Sequence, residues 1–149
     1  MKQISIKVIW VAIVALFCTY FSLAFAADEV SKISWHDYSD KLFVKSEKDK
    51  MPILLFVKAD WCPHCTKMKE TTLQDPAVVK LINESFIPVM IDADANRDLA
   101  VKYKVVGLPD FIILDSNKKV IKEFSGEMTI IDFLSNLSQA HKAYQEHTS

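Results

Sequence analysis

The residues best suited to chemistry are two cysteines that stand two residues apart, Cys62 and Cys65. They follow the apolar run 53–57, which predicts a buried strand, and they open a predicted helix. A thiol at a helix N-terminus is favoured in its ionised form, because the unpaired amide groups there stabilise negative charge. We therefore predict a redox-active pair in which Cys62 attacks a disulfide and Cys65 resolves the mixed disulfide.

The residues around the two cysteines fit the same chemistry. Pro63 suits the first turn of a helix, where its missing N–H would have no partner. His64 places a donor and a partial positive charge beside the sulfur, which is expected to lower the pKa of Cys62 further. Trp61 is interpreted as a flanking wall of the site. The pattern predicts that Cys62 is the exposed nucleophile and that Cys65 is more buried.

Other uses of this cysteine pair fit the sequence less well. A purely structural disulfide would close a very small loop and would constrain little chain entropy. A c-type haem site needs a histidine directly after the second cysteine, where Thr66 stands. A zinc site needs about four ligands, and no second pair matches the scattered His36, His141 and His147. We therefore expect no metal and no cofactor.

The composition describes one ordinary folded domain. The chain has 149 residues, of which 50% are hydrophobic and 25% are charged, and this balance excludes a disordered protein. Its three cysteines are too few for a small scaffold held together by disulfides. A net charge of −1 without a basic block gives no indication of nucleic-acid binding.

The start of the chain differs from the rest. Lys2 and Lys7 precede an uncharged apolar stretch that ends in the small-residue motif Ala24-Phe25-Ala26. This predicts a signal peptide over residues 1–26 and a mature domain over 27–149. An uncleaved membrane anchor is the alternative, because about 20 apolar residues suffice to span a bilayer. Both interpretations place the domain outside the cytoplasm, in the periplasm or secreted, where disulfides persist.

The remaining chain alternates between helical and strand patterns. Helices are predicted at 34–50, 62–72, 75–83, 96–103 and after Thr129, and strands at 53–57, 86–92, 111–114 and 120–124. This alternation, followed by a final hairpin, predicts an α/β fold with a mixed central sheet of four to five strands flanked by helices. The last helix is expected to fade after Ala140. Its expected buried stripe is Ile130, Ile131, Phe133, Leu134 and Leu137.

Three segments resemble the thioredoxin family in order and spacing: Ala59 to Cys65 (A-D-W-C-P-H-C), Val106 to Pro109 (V-G-L-P) and Phe124 to Gly126 (F-S-G). The resemblance covers about 51–137 and implies a thioredoxin fold. It also implies that Pro109 is a cis-proline facing the two cysteines. Leu108 would then offer its backbone N–H and C=O to an extended substrate segment.

The sequence is similar to different members of the family at different positions. A-D-W-C with G-L-P is similar to the carboxy-terminal domain of the reductase DsbD, whereas Pro63-His64 resembles the oxidant DsbA. The short span between Cys65 and Pro109 leaves no room for the helical insertion of DsbA-type oxidases. Thioredoxins also carry a buried aspartate six residues before the first cysteine, where Phe56 stands here. The sequence therefore assigns no proton acceptor for Cys65.

The sequence as a whole predicts a thiol–disulfide oxidoreductase that acts on protein thiols and disulfides. The compact domain and its DsbD-like surroundings favour a reductase supplied with electrons by a membrane partner. Pro63-His64 favours a DsbA-like oxidant, because a more stable Cys62 thiolate makes the protein more oxidising. A copper(I) carrier with His64 or Met68 beside the two thiolates is a further alternative, followed by a binding module without turnover.

Overall fold

The structure is a computed structural model that describes residues 32–148. Its helices are α1 (Asp40–Asp49), α2 (Pro63–Glu70), α3 (Pro76–Ser85), α4 (Arg97–Lys102) and α5 (Ile130–Thr148). Its strands are β1 (Ile53–Lys58), β2 (Ile87–Asp92), β3 (Asp110–Leu114) and β4 (Val120–Ser125), and a short 3-10 turn, Thr72–Gln74, joins α2 to α3. The elements follow the predicted order. The predicted signal peptide lies outside the described residues, and no helix within them is long and apolar enough to cross a membrane.

The four strands form one mixed sheet in the order β2-β1-β3-β4, as the predicted fold class requires. β1 pairs in parallel with β2 and antiparallel with β3, and β3 pairs antiparallel with β4. Because β1 is central, its side chains are covered on both faces, which explains its continuous apolar run. Val57, near the end of β1, lies opposite Asp110 at the start of β3. This register places the loop before β3, which ends in Pro109, next to the end of β1, the strand that leads to the cysteines.

Alternate side chains of β1 enter two different cores. Leu54 and Phe56 pack with residues of α2, α3 and α5 on one face of the sheet. Leu55 and Val57 pack with residues of α1 and α4 on the other face. Each fully buried side chain of this size contributes about 1.5–3 kcal/mol. The strand that leads to the cysteines is therefore packed on both faces.

The first helix is shorter than predicted. α1 begins at Asp40, and the residues before it are extended. The N–H of His36 donates to the Pro88 carbonyl over 2.9 Å, and its carbonyl accepts from Met90 N–H over 3.1 Å. Trp35 packs against the core. The prediction of a helix here is wrong because the free edge of β2 satisfies this backbone, which the spacing of apolar residues does not reveal.

The last helix is longer than predicted, and its predicted buried stripe is confirmed only in part. Phe133 and Leu137 are buried, and Leu134 is partly buried against the core. The helix continues to Thr148, so that the expected fading after Ala140 is wrong. Ile130 and Ile131 are exposed. Ile130 is the first residue of the helix, and Ile131 lies on a face that does not pack against the core. The buried residues of α5 recur every three to four positions and are Phe133, Leu137, Ala140 and Tyr144.

Candidate active site

The two cysteines lie where β1 passes into α2. Cys62 is the N-cap residue of α2 and forms a disulfide with Cys65, the two Cα atoms being 5.3 Å apart. The N–H of Cys65 donates to Cys62 Sγ over 3.2 Å. Amide groups in the first turn have no acceptor within their own helix. The same donor is therefore available to stabilise a Cys62 thiolate once the disulfide is reduced.

Both cysteines are buried in the disulfide form. Cys62 is 3% exposed and Cys65 is 1% exposed, so the expected contrast in exposure is wrong for this state. Ala59 and Leu108 pack against the pair. The two cysteines differ instead by position, since Cys62 caps the helix and Cys65 lies one turn further in. Their assignment as nucleophile and resolving cysteine stays a prediction.

The loop before β3 lies beside the cysteine pair. The Leu108–Pro109 peptide bond is cis. The carbonyl of Pro109 accepts from the N–H of Gly126 over 2.8 Å, and Gly126 has a positive φ of 90°, which glycine adopts without steric cost. Val106 in this loop is 95% exposed. Leu108 of this loop packs against the two cysteines, and the role of Leu108 and Pro109 in substrate binding stays a prediction.

The His64 ring is directed to an acidic side chain that the sequence did not single out. Its Nδ1 lies 2.9 Å from Glu127 Oε2, and Lys67 binds the same carboxylate. Hydrogen bonds from His64 and Lys67 hold the pKa of Glu127 below its usual value. Glu127 is 63 positions from His64 in the chain, so only the fold pairs them. The one signal for it in the sequence is its place directly after Gly126.

Trp61 flanks the pair and is anchored by its indole. The side chain is largely exposed, and its Nε1–H donates to Asp94 Oδ2 over 2.8 Å. Nearby, Lys58 Nζ donates to Asp60 over 2.5 Å and to Asp92 over 2.6 Å. These bonds raise the pKa of Lys58 and lower the pKa of Asp92. The segment before Cys62 is therefore tied to the end of β2 and its following loop, which fits the interpretation of Trp61 as a wall.

A carboxyl is buried near the cysteine pair's strand, but not at the position typical of thioredoxins. Phe56, six residues before Cys62, stacks on Phe111 with ring centroids 5.0 Å apart. Asp110 at the start of β3 is instead 1% exposed, and its Oδ1 has no hydrogen-bond partner among the described residues. Burial, aided by the charge of Glu123, raises the pKa of Asp110 to about 6. Asp110 was not predicted from the sequence, where its signal is an acid directly after Pro109 at the start of an apolar strand.

The structure gives the copper(I) alternative no further support. Over residues 32–148, no group of three or more His, Cys, Asp or Glu side chains is placed to hold a metal ion. Met68 is fully buried, and its Sδ accepts the N–H of Met128 over 3.4 Å. Met68 is therefore a core residue, which is the commoner use of methionine.

Comparisons with known proteins agree with this geometry. The family model of the thioredoxin-like domain matches residues 40–141, more than half of the chain. The disulfide bond reductase DsbH of Chlamydia pneumoniae is 27% identical over 109 residues, with 65% of this chain and 65% of that protein covered. The thiol:disulfide interchange protein DsbD of Pectobacterium atrosepticum is 31% identical over 98 residues, with 62% of this chain and 17% of that protein covered.

A solved structure gives the same result. A DsbH oxidoreductase superposes with a TM-score of 0.68 at 25% identity, covering 75% of this chain and 86% of that chain. The chain spans less than two thirds of the full length of the two sequence relatives, 65% of DsbH and 17% of DsbD.

Proposed function

Because this chain belongs to the family of thioredoxin-like domains, we propose that it is a thiol–disulfide oxidoreductase that reduces protein disulfides outside the cytoplasm. The observation that carries the proposal is the Cys62–Cys65 disulfide at the N-terminus of α2, beside the loop of Leu108 and Pro109. A dithiol in this position exchanges with other disulfides without a cofactor. The names of the relatives DsbH and DsbD, a disulfide bond reductase and a thiol:disulfide interchange protein, support the same class of reaction.

The reducing reaction proceeds through a mixed disulfide. The Cys62 thiolate forms a bond with one sulfur of the substrate disulfide, and the other substrate sulfur leaves as a thiolate and takes a proton from solvent. Cys65 then loses its proton to solvent and attacks Cys62 Sγ. The Cys62–Cys65 bond forms, and the second substrate sulfur leaves and is protonated. The substrate thereby gains two electrons from the two cysteines and two protons from solvent, which received one proton from Cys65 and one from Cys62 when its thiol ionised.

A partner must restore the dithiol after each cycle. The chemistry requires a second dithiol that gives up two electrons to the Cys62–Cys65 disulfide. We propose that this donor is a membrane electron-transfer protein, on the basis of the similarity to DsbD. The extracytoplasmic location rests on the signal peptide predicted over residues 1–26.

Two observations favour reduction over oxidation. The relative named a disulfide bond reductase is matched over 65% of this chain and 65% of its own length. Between β2 and β3 the chain forms only the six-residue helix α4, so there is no helical insertion of the DsbA type in this part of the described structure. The Pro63-His64 dipeptide is the feature that favours an oxidant.

The redox potential of the purified protein tests the direction. We expect a value near that of thioredoxin, about −270 mV, after equilibration with glutathione, together with reduction of insulin disulfides when a dithiol is supplied. A potential near −120 mV would instead identify an oxidant of the DsbA type. Tight one-to-one binding of copper(I) without any insulin reduction would favour the metal carrier.

A further inference from the structure

The Pro63-His64 dipeptide and the proposed direction of reaction make opposite demands on the site. A histidine whose positive charge lies beside Cys62 stabilises the thiolate and hence the dithiol, which makes the protein more oxidising. A reductase needs this stabilisation to be weak. The surroundings of the His64 ring therefore influence the redox potential of the Cys62–Cys65 pair.

The ring of His64 is oriented by Glu127. His64 is 64% exposed, so packing does not fix its ring, and Nδ1 lies 2.9 Å from Glu127 Oε2. The other carboxylate oxygen, Oε1, binds Lys67 Nζ. These hydrogen bonds hold the pKa of Glu127 below its usual value, so the carboxylate is ionised and can only accept. The hydrogen in the His64–Glu127 bond must therefore belong to Nδ1.

Glu127 itself is held in one place by its neighbours. Before it, the N–H of Gly126 donates to the Pro109 carbonyl over 2.8 Å. After it, the N–H of Met128 donates to the buried Met68 Sδ over 3.4 Å. The backbone on either side of Glu127 is thus bonded both to the loop that faces the cysteines and to α2. Glu127 is a fixed acceptor and not a freely moving surface charge.

We propose that Glu127 is a positioning residue that withdraws the His64 ring from Cys62 by binding its Nδ1–H. The Cys62 thiolate is then less stable, and the protein more reducing, than the C-P-H-C motif alone predicts. The inference rests on the proposed function, because it concerns the redox potential of the same cysteine pair. It explains how a motif that resembles an oxidant's can serve a reductase.

Replacing Glu127 by alanine tests the proposal. We expect the equilibrium constant with glutathione to move roughly two- to fivefold towards the dithiol, the range of an exposed ion pair, because His64 is then free to approach the thiolate. In a His64→Gln background the same replacement should have almost no effect. Equal shifts in both backgrounds, or a shift towards the disulfide, would show that Glu127 does not act through His64.

Glu84→Ala provides a control for the loss of one negative charge. Glu84 lies near the end of α3, just before β2, whose first residue pairs with the first residue of β1. It therefore lies at the end of the sheet opposite to Cys62, and we expect no change in the equilibrium constant. A shift equal to that of Glu127→Ala would mean that net charge alone is responsible, which would overturn the proposal.

The tautomer of His64 gives a readout that does not depend on activity. Nitrogen NMR of the oxidised protein should show a hydrogen on Nδ1, and Glu127→Ala should lose this preference. A wild-type protein in which Nδ1 of His64 carries no hydrogen would contradict the proposal. Neither measurement requires turnover, so a protein that equilibrates with glutathione but reduces no protein disulfide would contradict the proposed function and still decide the role of Glu127.

Discussion

A Cys65→Ala variant is expected to accumulate mixed disulfides with its substrates through Cys62. Cys62 caps α2 and receives the Cys65 N–H, which survives this substitution because it belongs to the backbone. The variant can therefore still attack a substrate disulfide. It cannot release the product, because the thiol that performs this step within the molecule is gone, and an external thiol lacks the high effective concentration of a neighbouring group. Non-reducing electrophoresis followed by mass spectrometry would identify the trapped species and the sulfur that holds them.

The matched variant Cys62→Ala should trap almost nothing. Cys65 would be its only cysteine in the described part of the chain, and it is 1% exposed and one turn inside the helix. Catalytic reduction should be lost in both variants, so the difference in trapping separates the two roles. If both variants trap substrates to the same extent, the assignment of Cys62 as nucleophile is wrong.

An Asp110→Asn variant is expected to lack the fall in stability that the wild type shows as the pH rises from acid to neutral. Burial raises the pKa of Asp110 from its usual 3.8 to about 6 in the folded protein. The difference between these two pKa values corresponds to a loss of roughly 3 kcal/mol of unfolding free energy in the wild type between acid and neutral pH. Urea unfolding of both proteins between pH 4 and pH 8 measures the effect.

The sign of this effect follows from proton uptake on folding. Below about pH 4 the carboxyl is protonated in both the folded and the unfolded chain, and its burial carries no charge penalty. As the pH rises from about 4 to about 6, the unfolded chain loses this proton while the folded protein retains it, so the wild type loses stability over this range and no further above it. Asparagine does not titrate, and the variant should lack this decline.

The pH dependence of the unfolding free energy tests the prediction better than its absolute value at one pH. An asparagine at this site buries an amide whose unpaired hydrogens carry a cost of about 1–3 kcal/mol, but that cost is the same at every pH. The exposed Asp37 provides a control, because Asp37→Asn should leave the pH dependence unchanged. Parallel stability curves for the wild type and the Asp110→Asn variant would contradict the raised pKa.

The sequence by itself determined those features that depend on neighbours along the chain. The order of helices and strands was predicted because each element carries its own periodicity. Two helix caps are also local: Asp75 accepts from the N–H groups of Ala77 and Val78, and Thr129 accepts from the N–H of Asp132. The position of the cysteine pair after β1 is equally local. The C-x-x-C motif and the apolar strand before it suffice to predict a helix that begins with a redox-active cysteine pair.

Only the tertiary structure decided the features that depend on distant segments. His36 is extended because the edge of β2 lies beside it, although its own segment has helical spacing. The same holds for the two acids that the sequence analysis missed. Glu127 meets His64 because β4 ends next to α2, and Asp110 is buried because β3 starts beside the end of β1. Charged side chains carry no periodic signal for such pairings, since their partners and their burial are set by how the strands are ordered in the sheet.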